Sequence, residues 1–232
     1  MKPLFSILSL LILSGVCLAQ VESGDAPRST YKISCLYWEG KPSEVLYFRE
    51  GESFRPLEFK QAQRSKEFAL QGTAQFELYR KVPQPEPGKL PYELLSQCTI
   101  PNAADILFVV IPYERKGALL YHVHAMDDTL QSFPRGSFRF VNYTTDGIQV
   151  KCGEKIQQIA PLGLWSLASI DSPTGGFVPF ILGDSDGAII YGTRIFGQPS
   201  GRELVFIIPP TKEGGTPRVK FISQLVAPAN SK

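Results

Sequence analysis

Two stretches of the chain repeat one pattern. Residues 106–112 read I-L-F-V-V-I-P and residues 204–210 read L-V-F-I-I-P-P. Each is a continuous apolar run of strand length, β-branched and closed by proline, the signature of a strand covered on both faces. Around these runs the pattern changes to alternation. Residues 31–35 and 137–141 switch between apolar and polar positions with the period of a half-buried strand. In the first half, further short strands are expected at 45–48, 54–59, 68–70, 74–79, 92–100 and 119–125. In the second they are expected at 148–152, 156–160, 164–170, 177–182, 188–196 and 218–225. Residues 92–97 form the one stretch with a competing helical period. Between strands, residues 81–91 carry Pro83, Pro85, Pro87, Gly88 and Pro91, which predicts an exposed, partly polyproline loop.

The two halves can be written over each other. Residues 44–57 align without a gap on 149–162, an offset of 149 − 44 = 105, and 92–112 align on 189–209, an offset of 189 − 92 = 97. The match lies in the order of apolar positions and in the two proline stops. Each half holds seven or eight short strands in under 100 residues. That suits a closed sandwich and excludes a solenoid. The expectation is an all-β protein of two tandem immunoglobulin-like β-sandwich domains related by internal duplication, at 31–128 and 133–225.

The N-terminus changes the setting. Lys2, the apolar residues 4–13 and the Cys17-Leu18-Ala19 ending read as a secretory signal at 1–19, cut after Ala19, with a flexible leader at 20–30. The apolar run is shorter than the roughly 20 residues a membrane span needs. A lipoprotein anchored at Cys17 is the weaker alternative, because Val16 stands where a small residue belongs. The expected location is periplasmic or secreted. The formal charge of +2 becomes +1 when Lys2 is removed (2 − 1), so no basic field for nucleic acid is expected. Fifteen Phe, nine Tyr and two Trp are enough to fill a real core.

Candidate chemistry is sparse. His122 and His124 are the only histidines, and as i and i+2 on a strand both could reach one metal ion beside Asp127 or Asp128. The competing reading puts them on the solvent face, with Tyr121 and Val123 turned inward. Residues 183–187, G-D-S-D-G, match the serine-hydrolase elbow and resemble a calcium loop. No histidine follows Ser185 and the further calcium ligands are missing, so the better reading is a hairpin turn. Asn142-Tyr143-Thr144 is a glycosylation sequon. Tyr37, Trp38 and Tyr47 could stack on a sugar, or fill core and rim. Cys35, Cys98 and Cys152 read first as small buried apolar residues.

Residues 136–142, G-S-F-R-F-V-N, followed by Val150, Gly153 and Ala160-Pro161, resemble the openings of exported bacterial immunoglobulin-like domains of unassigned function. The resemblance spans about 30 residues. It implies a bridge like the inter-sheet disulfide of immunoglobulin domains, here Cys35 to Cys98, leaving Cys152 over. In plan the chain is also similar to periplasmic pilus chaperones, although their basic clamp pair has no counterpart placed here. The functional expectation is a non-catalytic exported binding or scaffolding protein of the bacterial envelope, without cofactor. Its partner would be a protein or a glycan, met through a surface such as the Pro83, Pro85 and Pro87 loop. The alternatives are a metal-assisted hydrolase using His122 and His124, a carbohydrate-binding module, or a chaperone-like protein.

Overall fold

The structure is a computed structural model, and it describes residues 29–38, 41–61, 63–72, 74–85, 87–168, 176–210 and 215–225. The expected signal at 1–19 and the expected leader up to residue 28 lie outside the described residues, while Ser29 and Thr30, expected as the end of the leader, open β1 instead. Among the described residues there are sixteen strands and no helix. In the first half they are β1 (Ser29–Tyr37), β2 (Leu46–Glu50), β3 (Ser53–Pro56), β4 (Phe68–Gly72), β5 (Gln75–Lys81), β6 (Tyr92–Thr99), β7 (Asp105–Arg115) and β8 (Ala118–Asp127). In the second they are β9 (Ser137–Asn142), β10 (Ile148–Cys152), β11 (Lys155–Ile159), β12 (Leu164–Leu167), β13 (Gly176–Gly183), β14 (Ile189–Gly197), β15 (Gly201–Ile208) and β16 (Arg218–Leu225). The helical alternative at residues 92–97 is not adopted; they lie in β6.

The strands form four four-stranded sheets, ordered β4-β1-β7-β8, β3-β2-β5-β6, β12-β9-β15-β16 and β11-β10-β13-β14. Adding eight to every strand number of the first two sheets gives the last two. Registers agree as well. In the first half the parallel pair β1–β7 sets Ser34 against Leu107, and Leu107 pairs with Met126 of β8. In the second, β9–β15 sets Arg139 against Leu204, and Leu204 pairs with Ile222 of β16. The offsets are 139 − 34 = 105, 204 − 107 = 97 and 222 − 126 = 96. The β2–β3 and β10–β11 hairpins depart from the sequence alignment. Their closing pairs, Glu50 with Ser53 and Cys152 with Lys155, give 152 − 50 = 102 instead of 105. A shift of three residues is odd, so it would turn the core face outward. At 102 the core residues Leu46 and Phe48 fall on the core residues Ile148 and Val150. The turn glycines Gly51 and Gly153 also coincide, both at positive φ.

Three cores stack between the four sheets. The first lies between the two sheets of the first half and holds Ile33, Cys35, Phe48, Phe76, Leu78, Phe108 and Val110. The third does the same in the second half, with Phe138, Phe140, Val150, Phe180, Leu182, Val205 and Ile207. The middle core joins the halves. Leu36, Trp38, Leu107, Val109, Ile111 and Met126 of the first half meet Val141, Tyr143, Leu204, Phe206, Ile208 and Ile222 of the second. At the offsets above, these are six pairs of equivalent positions. The apolar runs are therefore covered on both faces, as their pattern predicts, and they lie in separate sheets. One covering face comes from the other half.

The contacts across this seam are reciprocal. His124 Nδ1 lies 2.9 Å from the Tyr143 hydroxyl, with the rings edge to face at 5.6 Å. Its equivalent, Lys220 (220 − 124 = 96), sits 4.9 Å over the ring of Trp38, the equivalent of Tyr143, and donates to the Trp38 carbonyl. Residue i touching j while j touches i is the pattern of a two-fold, isologous interface.

Candidate binding surfaces

The histidine pair does not assemble a metal site. Tyr121 and Val123 face the first core, as expected. His122 is exposed, but His124 points into the seam rather than to solvent and is occupied by Tyr143. Burial, with His122 and Arg139 nearby, holds His124 down to about 4, so it is neutral at pH 7. The two carboxylates proposed beside it are committed elsewhere. Asp127 Oδ1 accepts from the Thr129 amide and hydroxyl at 2.9 and 2.7 Å, and Asp128 pairs with Arg64 and Arg202. Among the described residues, no three His, Cys, Asp or Glu side chains group as metal ligands.

The three cysteines of the described chain are thiols, so the Cys35–Cys98 bridge is not made. Cys35 pairs with Phe108 and Cys98 with Phe76, and those two rings stack at 4.0 Å across the core between the sheets. Burial pushes all three thiols up, Cys98 to about 11 and Cys152 to about 12, which keeps them largely protonated and slow to react at neutral pH.

Residues 183–187 close the β13–β14 hairpin. Asp184 Oδ1 accepts the amides of Asp186 and Ala188 at 3.0 and 2.9 Å, and Gly187 takes φ +84°. Its carboxylate thus serves the turn. The sequon asparagine is fully buried. Asn142 Nδ2 donates to the carbonyls of Asp146, Ile159 and Ala160, while Oδ1 accepts from Thr144. No transferase could reach that nitrogen in the folded chain. Tyr37 belongs to the first core and Trp38 to the seam, so neither offers a ring to a sugar.

Sequence reasoning missed a polar clamp at one end of the seam. Phe133, on the connection between the halves, is fully buried between two guanidinium groups, Arg139 at 4.3 Å and Arg202 at 4.9 Å from its ring centre. Arg139 donates to the Ser166 hydroxyl, the Asp127 carbonyl and both oxygens of Ser132. Arg202 donates to the carbonyls of Asp128 and Phe133, to the Asp128 carboxylate and to Gln224. Burial lowers Arg139 to about 10 against the pull of Asp128, so it stays charged at neutral pH. Nothing in the alternating 137–141 pattern distinguishes a buried Arg139 from one in water.

With the inner sheets covered on both faces, ligands are left the outer faces of β3-β2-β5-β6 and β11-β10-β13-β14, the edges and the loops. On the first outer face, Phe54 and Tyr92 stack at 3.9 Å, Tyr47 meets Tyr92 at 5.2 Å, and Phe54 meets Tyr79 at 4.9 Å. The Tyr79 hydroxyl donates to Glu77 at 2.6 Å. Pro83, Pro85 and Pro87 lie exposed in the adjoining β5–β6 connection, whose base is tied by the Val82 amide to the Pro91 carbonyl at 2.9 Å.

Set against models of protein families, the chain matches none. A search of curated proteins likewise gives no significant match. No helix among the described residues is long and apolar enough to cross a membrane.

Proposed function

We propose that this protein is a non-catalytic, exported binding or scaffolding module of a bacterial envelope, working as one stiff body. The observation that carries this reading is the middle core. Ligand clefts favour the junction of two domains, and here that junction is filled by Trp38, Tyr143 and Phe206. The polar groups fit for chemistry, His124, Asp128, Arg139 and Arg202, are held in structural bonds. What faces outward is sheet surface and the proline loop, which loses little entropy on binding because proline has already stiffened it. The signal pattern of residues 1–19 supports export.

The same reading takes the halves as products of duplication. The shared strand order and the six equivalent pairs of the seam support an ancestral unit that paired with its own copy. The immunoglobulin-like comparison extends to two facing sheets per half, while the parallel β1–β7 and β9–β15 pairs give the fold its own strand order. A second reading, glycan binding, is favoured by the Tyr47, Phe54 and Tyr92 rings on the first outer face.

The test is affinity capture from envelope extract with wild type and with a variant in which residues 83–87 are replaced by a short Asn-Gly turn. A partner held by wild type and lost by the variant supports the loop. Identical partners from both remove it, and capture of none, with binding on a glycan array, moves the assignment to the second reading.

A further inference from the structure

The outer face of the β11-β10-β13-β14 sheet is unlike its counterpart. Phe177 and Phe196 are register partners whose rings meet at 5.3 Å, yet they are 70% and 46% exposed. Pro179 and Ile181 continue the same column along β13. Ile156 on β11 is 56% exposed. Large apolar side chains gathered on one surface mark a place where something binds.

Charge narrows what that is. Lys151 pairs with Ile156 on one side and Ile181 on the other, and Arg194 pairs with Pro179, so both cations project among the apolar side chains. Between its turns this face carries no carboxylate: the other projecting residues are Gln149, Gln158, Gly183, Ile189 and Gly192, and Ile189 is itself 70% exposed. The equivalent face of the first half carries Glu77 beside Tyr79. A second copy of this chain laid face to face would set cation against cation at the centre, since the acids Glu154, Asp184 and Asp186 stand in the turns at the ends of the sheet. A soluble polyanion without apolar groups would satisfy Lys151 and Arg194 but leave the phenylalanines in water.

We propose that this face docks the protein on an anionic lipid membrane. Phe177, Phe196 and Ile156 enter the boundary between headgroups and acyl chains, and Lys151 and Arg194 meet lipid phosphates. The proposal does not depend on the proline loop, which lies in the other half.

Flotation of the mature protein with vesicles tests it, using phosphatidylglycerol–phosphatidylcholine (1:1) and phosphatidylcholine alone, in low and in 0.5 M salt. Wild type is expected on the anionic vesicles at low salt, at least about tenfold weaker on the neutral ones, and largely released by high salt. Each cation near an anionic surface is worth about fivefold, so a Lys151→Glu, Arg194→Glu variant loses more than about 25-fold. A Phe177→Ser, Phe196→Ser variant loses at least about tenfold, because its apolar contact is gone. These positions are solvent-facing, so the charge variant should keep the wild-type melting temperature, and the serine variant, which loses one cross-strand aromatic pair, should still fold with a melting temperature only a few degrees lower. A Phe177→Trp reporter, measured by its blue shift on anionic vesicles, needs no loss of function. No flotation of wild type, equal binding to both vesicles, or no shift of the reporter overturns the proposal. So does tight binding to soluble polyglutamate that the phenylalanine variant retains, which would assign the face to an acidic macromolecule.

Discussion

His124 and Lys220 hold equivalent positions in the two halves, and each reaches across the seam to the aromatic residue equivalent to the other's partner. The pairing is therefore reciprocal, but its chemistry differs on the two sides. Lys220 lies over Trp38 as a cation, whereas His124 is half-buried and neutral against Tyr143. The seam should consequently respond to acid through one side only.

That response has a definite sign. His124 is held down to about 4 in the folded chain, against 6.5 as the ordinary value. Between those values the unfolded chain binds the proton and the folded one does not. The His124 contribution is thus complete above about pH 6.5, falls as the pH drops, and is lost below about 4. The shift corresponds to about 3 kcal/mol at most. Urea unfolding at pH 7 and pH 4.5, with wild type and His124→Gln, should show a steeper acid loss in wild type. Parallel losses would mean that His124 is protonated without penalty.

The seam should also make unfolding a single event. Phe206 is fully buried in the middle core, touching Trp38 at 5.0 Å and Tyr143 at 5.8 Å. Phe206→Ala is expected to cost about 3–5 kcal/mol. Trp38 reports from the seam and Trp165 from beside the third core. Denaturant curves by fluorescence and far-UV dichroism should coincide in wild type. Two separated transitions would show that the halves unfold independently.

How far the pattern of residues could be read is clearest at the same place. The run at 106–110 announced a strand covered on both faces, and β7 is one. What covers its second face was not legible, because an apolar run records burial and not the identity of its neighbour. Arg139 is the reverse case: alternation does not tell a buried polar position from a solvated one, and Arg139 is 2% exposed because the seam ends in a clamp there. The hairpin offset was legible but overlooked: at 102 the apolar residues Leu46, Phe48 and Leu57 fall on Ile148, Val150 and Ile159, and Gly51 falls on Gly153, whereas the alignment at 105 was anchored on prolines, Pro56 over Pro161. The outer-face phenylalanines carried no signal in their own strand, since Phe177 and Phe180 read alike as apolar strand positions, the one exposed and the other buried.

The cysteines should behave as buried thiols. With a thiol reagent at pH 8, native protein is expected to show no fast reaction at Cys35 or Cys152 and only slow reaction at Cys98, with all three modified in denaturant. The melting temperature should not change on adding a reductant. A drop of several degrees would instead reveal a bridge, whose loss typically costs 2–5 kcal/mol.

The turn at residues 160–163 gives two substitutions of opposite sign. The Gly163 amide donates to the Ala160 carbonyl at 2.9 Å, with Pro161 and Leu162 as the central pair. Leu162 takes φ +58°, a left-handed conformation that costs a branched side chain about 1–2 kcal/mol. It is 55% exposed, so its packing recovers little of that cost. Asparagine tolerates this backbone without the full entropy loss of glycine, and Leu162→Asn should raise stability by about 0.5–1 kcal/mol. At Gly163 an added Cβ would lie 2.8 Å from the Ala160 carbonyl oxygen, a backbone atom that cannot yield without opening the turn. Gly163→Ala should therefore lower stability by about 1–3 kcal/mol. Urea midpoints of both variants measured beside wild type decide the matter. If Leu162→Asn loses more than about 1 kcal/mol, the exposed leucine has a packing role that its geometry does not account for, and the strain argument at this turn fails.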